Sequence, residues 1–246
     1  MDSTLLKGLE VLERIVASGA PAGVSALARE LGLPKSNVHR TLSSLRAAGY
    51  LLYDAESRRY FPSLRLAQMG THVAAHFPFR TAVLPALERL VAATGESAHF
   101  VCLDGAKVVF VANVLPSTSV ASVIPDNLSL DWDDTALGIA LVSALPEADL
   151  AGRLRTAVDG PAAEAKLRAA RTAGYAVIAR HETRRIFEIA APVRSDWGGV
   201  VGAVGITGPA LRFSPEIVPA HAAAVCDIAA QALAGPQGRS LGEGKA

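Results

Sequence analysis

The sequence predicts an α+β protein: an N-terminal winged helix-turn-helix, a linker helix, and a C-terminal domain with a largely antiparallel sheet. Three observations lead there. Residues 3–62 read as helix, helix, Gly turn, helix and then a basic hairpin. Residues 63–77 carry a narrow apolar stripe that Pro78 closes. Beyond Thr81, alternating segments joined by tight turns lie between helical segments at both ends. The boundaries follow as 1–62 for the winged helix-turn-helix, 63–78 for the linker helix, 79–235 for the second domain and 236–246 for a disordered tail.

From Ser3 to Ser18, Leu5, Leu6, Leu9, Leu12, Ile15 and Val16 recur at the helical period, with Lys7, Glu10, Glu13 and Arg14 on the other face. Gly19, Pro21 and Gly23 break that helix. Ser25 is placed to cap a short second helix containing Leu27 and Leu31, which Gly32 ends. A third helix begins at Pro34, since the first helical position leaves its N–H unpaired anyway. Val38, Leu42 and Leu45 share one buried stripe of it. Ser36, Arg40 and Ser43 fall opposite, flanked by Lys35, Asn37, His39 and Ser44. Gly49 stops the helix, and Tyr50–Tyr53 and Arg59–Phe61 form a hairpin with Arg58 and Arg59 at its tip.

That third helix has the composition of a reader of the major groove. Arg bonds two acceptors on guanine and Asn two groups on adenine. Lys35, near the helix N-terminus, suits a phosphate. Arg58 and Arg59 suit a phosphate or the minor groove. The candidate DNA contacts are therefore Lys35, Ser36, Asn37, His39, Arg40, Ser43, Ser44, Arg58 and Arg59.

In the connector, Leu66, Met69, Val73 and Phe77 stand at offsets 0, 3, 7 and 11. A stripe this narrow suits pairing with a second chain as well as packing on its own domain. The second domain opens with a helix over 81–94, stopped by Gly95. Strands follow at Ser97–Leu103 and Val108–Val114 around Asp104-Gly105, and a further strand is read at Ser119–Ile124. Asp133, Asp134 and Thr135 cap a helix running to Leu145. Next come a helix at Ala162–Thr172, strands at Tyr175–Ala179, Phe187–Val193 and Val200–Thr207, and an Ala-rich helix from Pro215 to Leu233.

Composition supports a folded chain with its own core. The 246 residues are 50% hydrophobic and 19% charged, unlike a disordered sequence. Two Cys, 124 positions apart, make neither a disulfide framework nor a CxxC zinc site, and they fit a reducing compartment. No apolar run reaches the roughly 18 residues of a membrane helix, and no signal-peptide pattern opens the chain. The expectation is a cytoplasmic protein, nucleoid-associated when bound to DNA, with no membrane partner. The net charge of +1 hides an asymmetry. Residues 1–80 carry 10 Lys and Arg against 6 Asp and Glu, a net of +4; the remainder carries 14 against 17, a net of −3. A basic first third on an acidic remainder points to an anion-binding module attached to something else.

Catalytic signatures are missing. There is no GxxxxGK[ST], GxSxG or HExxH. Gly202, Gly205 and Gly208 recur every three residues, but within and after a strand, so they form no dinucleotide fingerprint. Asp131, Asp133 and Asp134 read as a loop and helix cap with no neighbouring His, and Cys102 and Cys226 as small buried hydrophobes. The expectation is no enzyme, no cofactor and no metal.

The chain resembles the IclR family of bacterial transcriptional regulators over about residues 3–235. The resemblance is carried by Lys7-Gly-Leu-Glu-Val-Leu12, by Leu27-Ala-Arg-Glu-Leu-Gly-Leu-Pro-Lys-Ser-Asn-Val-His-Arg40 and by Thr135-Ala-Leu-Gly138. Gly174-Tyr-Ala-Val177, Ile189-Ala-Ala-Pro-Val193 and Ile206-Thr-Gly-Pro209 complete it. It implies a homodimeric or homotetrameric winged-helix regulator on partly palindromic, double-stranded promoter DNA. It also implies a GAF-like effector-binding domain that senses a small molecule, often an organic or aromatic acid. Departures concern the effector. The family often has His ahead of the Thr-Ala-Leu-Gly motif and Lys after it, where this chain has Asp133 and Ile139. It often has an acid after Gly-Tyr and a Cys before Ile-Ala-Ala-Pro, where this chain has Ile178 and Glu188. By position the implied effector-binding residues are Ala136, Leu137, Gly138, Ile178, Glu188 and Ala190.

Glu188 has two readings here: it begins a strand and points to solvent, or it faces inward and needs a partner. Asp133 and Asp134 are placed to occupy the helix N-terminus that would otherwise attract an anion. Unless Arg180, Arg184 or Arg185 turns inward, both features weigh against a simple carboxylate effector and for a neutral, amino-bearing or differently held one. Two alternatives to an effector-controlled regulator stay open: a small-molecule enzyme or sensor whose winged helix mediates protein contacts, and a ligand-independent regulator.

Overall fold

The structure is a computed structural model that describes residues 3–118, 121–125, 128–180, 186–195 and 198–233. The chain divides into two compact units, 1–75 and 76–246.

The first unit has helices α1 (Ser3–Ser18), α2 (Val24–Glu30) and α3 (Lys35–Ala47), strands β1 (Leu51–Asp54) and β2 (Arg59–Pro62), and helix α4 (Leu64–Ala75). Its core is Val11, Ile15, Leu27, Val38, Leu42, Leu51 and Tyr60. The inward face of α1 differs from the expected one: Leu5, Leu6, Leu9 and Val16 are exposed, and Val11, outside the expected stripe, is buried with Ile15. Gly32, at φ +63°, lets the chain turn between α2 and α3 at an angle that a side chain would resist. Two further details differ from expectation. Helix α2 starts at Val24 behind Gly23 and has no side-chain cap, so Ser25 lies inside its first turn. Pro34 sits just ahead of α3.

The wing is a two-stranded antiparallel hairpin in which Asp54 pairs with Arg59. It is fastened to the helices by a bridge: Ala22 N–H donates to Tyr60 O at 2.8 Å, and Tyr60 N–H to Ala22 O at 2.9 Å. Ser63 and Arg65 tie the first turn of α4 to the end of α3, through Gly49 O (2.6 Å) and Ala48 O (2.7 Å). Beyond that turn α4 has no buried residue, and Met69 and Val73 lie exposed.

The second unit is a six-stranded antiparallel sheet in the order β5-β4-β3-β8-β7-β6. Its strands are β3 (Ser97–Asp104), β4 (Lys107–Val114), β5 (Ser129–Asp131), β6 (Ala176–Arg180), β7 (Ile186–Arg194) and β8 (Val200–Pro209). Helices α5 (Pro78–Thr94) and α9 (Ile217–Ala230) cover one face, with Leu87, Leu90, Ile189, Val204 and Ile206 between. Helix α6 (Ala136–Ser143) covers the other, backed by α7 (Glu147–Leu154) and α8 (Gly160–Ala173). Every residue of α6 is buried, so it is apolar all round, as a helix packed on all sides must be.

Strand β8 passes through the middle with Gly202, Gly205 and Gly208 in close contact on both faces. A Cβ would meet the Phe100 ring and Val101 O at Gly202, Ile189 O at Gly205, and the Glu96 carboxyl at Gly208, each within 2.6 Å. The period of three that forms no nucleotide fingerprint is therefore a packing device.

Several boundaries move. Helix α5 starts at Pro78 rather than Thr81, because Pro78 can occupy the first turn. The residues 121–125 form no strand, and the edge strand is Ser129–Asp131 instead. Helix α7 was not expected; its eight residues lie behind Pro146 with Glu147 and Asp149 in the first turn. The predicted tail, 236–246, lies outside the described residues.

Candidate nucleic-acid interface and ligand cavity

All nine residues singled out for DNA lie at the surface of the first unit. On α3, Lys35, Ser36, Asn37, His39, Arg40, Ser43 and Ser44 are all exposed, while Val38 and Leu42 on the opposite stripe are fully buried. One helix thus presents a polar, basic face of seven side chains with no acid among them. Two other basic groups of this unit stack on rings instead: Arg46 lies 5.0 Å over the Tyr53 ring, and Arg65 4.9 Å over Tyr50.

The wing tip is built by Asp54. Its carboxylate accepts from the Glu56 and Ser57 N–H groups at 3.1 and 3.2 Å and from the Ser57 hydroxyl. The Ser57 hydroxyl, and then those amides, hold the Asp54 carboxyl below its ordinary range. The turn closes on Arg58 at φ +54°, a left-handed conformation unusual for a side-chain-bearing residue. Arg58 and Arg59 are both exposed, although Arg59 also donates to Pro21 O at 3.2 Å, which steers its guanidinium back toward the helices.

The second unit holds a partly open cavity of about 240 Å³ between the sheet, the start of α6 and the loop before β5. Phe110, Leu130, Leu137 and Ile186 give it apolar walls, residues 122–125 close one side, and Thr135, Glu188 and Thr207 are its polar groups at the sheet and helix. Of the six implied effector residues, Leu137 and Glu188 line it. Ala136, Gly138, Ile178 and Ala190 do not line it.

Glu188 faces inward. Its Oε2 accepts from Ala136 N–H at 2.8 Å, the first N–H of α6. The solvent-facing reading of Glu188 is therefore overturned. So is the expectation that Asp133 occupies this helix N-terminus. Residues Trp132–Asp134 form a 3-10 turn, and Asp133 Oδ2 instead accepts from Val158 N–H at 2.8 Å. Thr135 caps α6 as expected, accepting from Gly138 N–H at 2.8 Å. Gly138 is needed for contact, since a Cβ there would stand 2.1 Å from Trp132 O. Ile178 pairs with Glu188 across β6 and β7, and Ala190 with Ala176. Arg184 and Arg185, and the side chain of Arg180, lie outside the described residues.

Beneath the cavity the register aligns polar side chains that the sequence reading missed. Ser97 pairs with Thr207, and Thr207 with Glu188, so all three project from one face of the sheet. Thr207 Oγ1 and Ser97 Oγ are buried without a hydrogen-bond partner. His99 lies one row away and is fully buried. Asn113 donates Nδ2 to Ile124 O at 3.2 Å, which turns its Oδ1 to His99 Nδ1 at 2.7 Å. That assigns the His99 proton to Nδ1 and leaves Nε2 a bare acceptor, also without a partner. Burial pushes the His99 pKa down to about 4, partly opposed by the Asn113 hydrogen bond. The signal in the sequence was the alternation Ser97-x-His99 in an otherwise apolar strand, with Thr207 as its counterpart on β8. Among the described residues no cluster of His, Cys, Asp or Glu could hold a metal ion, and no helix is long and apolar enough to cross a membrane.

Comparison with known proteins is consistent across both units. The IclR helix-turn-helix domain matches residues 4–55, and the C-terminal domain of the bacterial transcriptional regulator IclR matches residues 71–233. The HTH-type transcriptional repressor AllR of Klebsiella pneumoniae is 26% identical over 222 residues, covering 86% of this chain and 82% of that protein. The glycerol operon regulatory protein of Streptomyces griseus is 29% identical over 245 residues, covering 94% of each. Among solved structures, an IclR homolog from Microbacterium hydrocarbonoxydans complexed with 4-hydroxybenzoate superposes with a TM-score of 0.68 at 22% identity, covering 97% of this chain and 100% of that one.

Proposed function

The chain belongs to the IclR family of bacterial transcriptional regulators, and from that premise we propose which parts of it read DNA, pair chains and sense a ligand. Residues 1–62 read promoter DNA, 63–78 connect, and 79–235 bind a small effector in the cavity at the start of α6. The observation that carries the DNA assignment is the exposed, acid-free face of α3 set against its buried apolar stripe. Arg40, Asn37 and His39 are assigned to base edges. Lys35, the serines and the wing residues Arg58 and Arg59 are assigned to the phosphate backbone.

The partner is a second copy of the chain. The α4 stripe of Met69 and Val73 is exposed, and two half-sites lie about one duplex turn, roughly 34 Å, apart. A module whose surroundings carry a net of only +4 gains affinity from two copies acting together. The homolog that binds 4-hydroxybenzoate supports reading the second unit as a sensor. An effector shifts DNA affinity only by binding two arrangements of the dimer unequally.

Footprinting on the protein's own upstream region, with wild type and Arg40→Ala, tests this. Loss of a bidentate base contact costs about 1–3 kcal/mol, roughly 5- to 150-fold in affinity, and relaxes the sequence preference at one base pair. Unchanged affinity and unchanged preference refute the assignment.

A further inference from the structure

Three buried polar atoms on the α6 side of the sheet lack partners in the protein. Ser97 and His99 are fully buried and Thr207 is 2% exposed. Ser97 Oγ, His99 Nε2 and Thr207 Oγ1 have no hydrogen-bond partner among the described residues. An orphaned buried polar atom costs stability, and native proteins keep few of them. Three on one face of a sheet ask for a common explanation.

The register gathers them around one point. Ser97 stands directly opposite Thr207, and His99 is the next residue of β3 on the same face. Opposed side chains in such a pair have Cβ atoms about 4.5–5.5 Å apart, and same-face neighbours along a strand stand about 6.5–7 Å apart. These separations exceed a direct hydrogen bond and suit a bridge of two bonds of about 2.8 Å each. His99 is turned to complete the group. Asn113 on β4 holds its Nδ1 at 2.7 Å, and the two ring nitrogens diverge, so Nε2 is directed away from β4. The neighbour of β3 on the other side is β8, which carries Thr207. The Phe110 ring meets the His99 ring edge-on at 5.7 Å between centroids and keeps it in place.

Hydrogen-bond chemistry selects the occupant. The Ser97 and Thr207 hydroxyls can each donate and accept, whereas His99 Nε2 only accepts once Nδ1 carries the proton. The bridging group must therefore donate to Nε2, pair with two hydroxyls and fit between side chains of neighbouring strands. Water has two donors and two acceptors, and in a buried site it needs about 2–4 polar partners. We propose that Ser97, His99 and Thr207 hold one structural water, which donates to His99 Nε2 and bridges the two hydroxyls. Of the three residues, Thr207 alone lines the cavity. Ser97 and His99 thus meet the cavity through this water and not directly. The site follows from the register and does not depend on what the cavity binds.

Two measurements on the full chain test this. A high-resolution crystal structure shows a solvent peak within about 3.2 Å of at least two of the three atoms. A peak reaching one of them or none, with the side chains ordered, overturns the proposal. Oxygen-17 magnetic relaxation dispersion counts long-lived internal waters in solution. The count falls by one in the Ser97→Ala/Thr207→Val double variant, because His99 alone offers the water too few partners. Ser143→Ala is the control: it removes a buried hydroxyl whose partner, Ala140 O at 2.8 Å, is already within the protein, so the count is kept. An unchanged count in the double variant, or an equal loss in the control, overturns the water site.

Discussion

Gly138→Ala is a one-methyl change with two opposed effects. Favouring the variant, Ala is better in a helix interior than Gly by about 1 kcal/mol, and a buried methyl gains about 0.8 kcal/mol. Against it, the new Cβ would stand 2.1 Å from Trp132 O and 2.8 Å from Trp132 C and Cα. All three are backbone atoms, so no rotamer change relieves the contact. Reaching an ordinary separation of about 3.5 Å moves the first turn of α6 by more than about 1 Å. That movement stretches two 2.8 Å hydrogen bonds, Gly138 N–H to Thr135 Oγ1 and Ala136 N–H to Glu188 Oε2. Overpacking costs about 1–3 kcal/mol, and the two bonds about 1 and about 1.5–3 kcal/mol. The clash wins by about 2–5 kcal/mol. For a unit of this size that lowers the melting temperature by about 4–20 °C. The assay is thermal unfolding followed by circular dichroism. Gly152→Ala on α7 serves as the control, since its Cβ would meet only the far end of Arg155 at 3.9 Å. A Gly138→Ala protein melting within about 2 °C of wild type would refute the close seating of α6 and the geometry built on it.

Further expectations follow from other residues. Arg58→Gly removes a wing charge and at the same time relieves the φ of +54°, so stability is kept or raised while DNA affinity falls evenly across sequences and the salt slope drops by about one, measured by titration at several salt concentrations. His99 titrates at about 4 when folded and 6.5 when unfolded, so between those values the unfolded chain binds the extra proton. Stability is therefore full above pH 6.5 and falls toward pH 4, by up to about 1.4 kcal/mol per pH unit, and urea melts of His99→Asn over that range are flatter than those of wild type. Burial pushes the Cys102 thiol up to about 12, and burial with Asp227 raises that of Cys226. Neither thiol reacts readily with a disulfide reagent in the native state, and both react after unfolding.

The element order of the first unit was legible because each of its elements is local, whereas the inward face of α1 was not: Leu5, Leu6, Leu9 and Val16 are exposed and Val11 is buried. The period of Val38, Leu42 and Leu45, the Gly turns and the spacing of the hairpin depend on neighbours in sequence. The cavity was legible only in part. The Thr135 cap and the burial around Leu137 follow from a short segment, but the Glu188 contact joins residues 52 positions apart. Nothing between them in sequence says which acid reaches the α6 N-terminus, and Asp133 and Asp134 were nearer. Ser97, His99 and Thr207 were missed for the same reason: the alternation Ser97-x-His99 is visible, but its alignment with Thr207 exists only once β3, β8 and β7 are in register. Helix α7 was missed because eight residues behind a proline carry too little periodicity to stand out from a loop.

The three glycines of β8 bear on how such a sensor can diversify. A saturation mutational map of this strand would show intolerance every third residue, where a strand buried on both faces would ordinarily show broad tolerance among small apolar residues. Because Gly202 and Gly205 touch backbone on opposite faces, and Gly208 the buried Glu96 carboxyl and the Phe213 ring, drift in the middle of the sheet is blocked. New ligand specificity must then arise at the cavity rim, through residues 122–125 and the side chains of β7 and α6, while the floor is inherited unchanged.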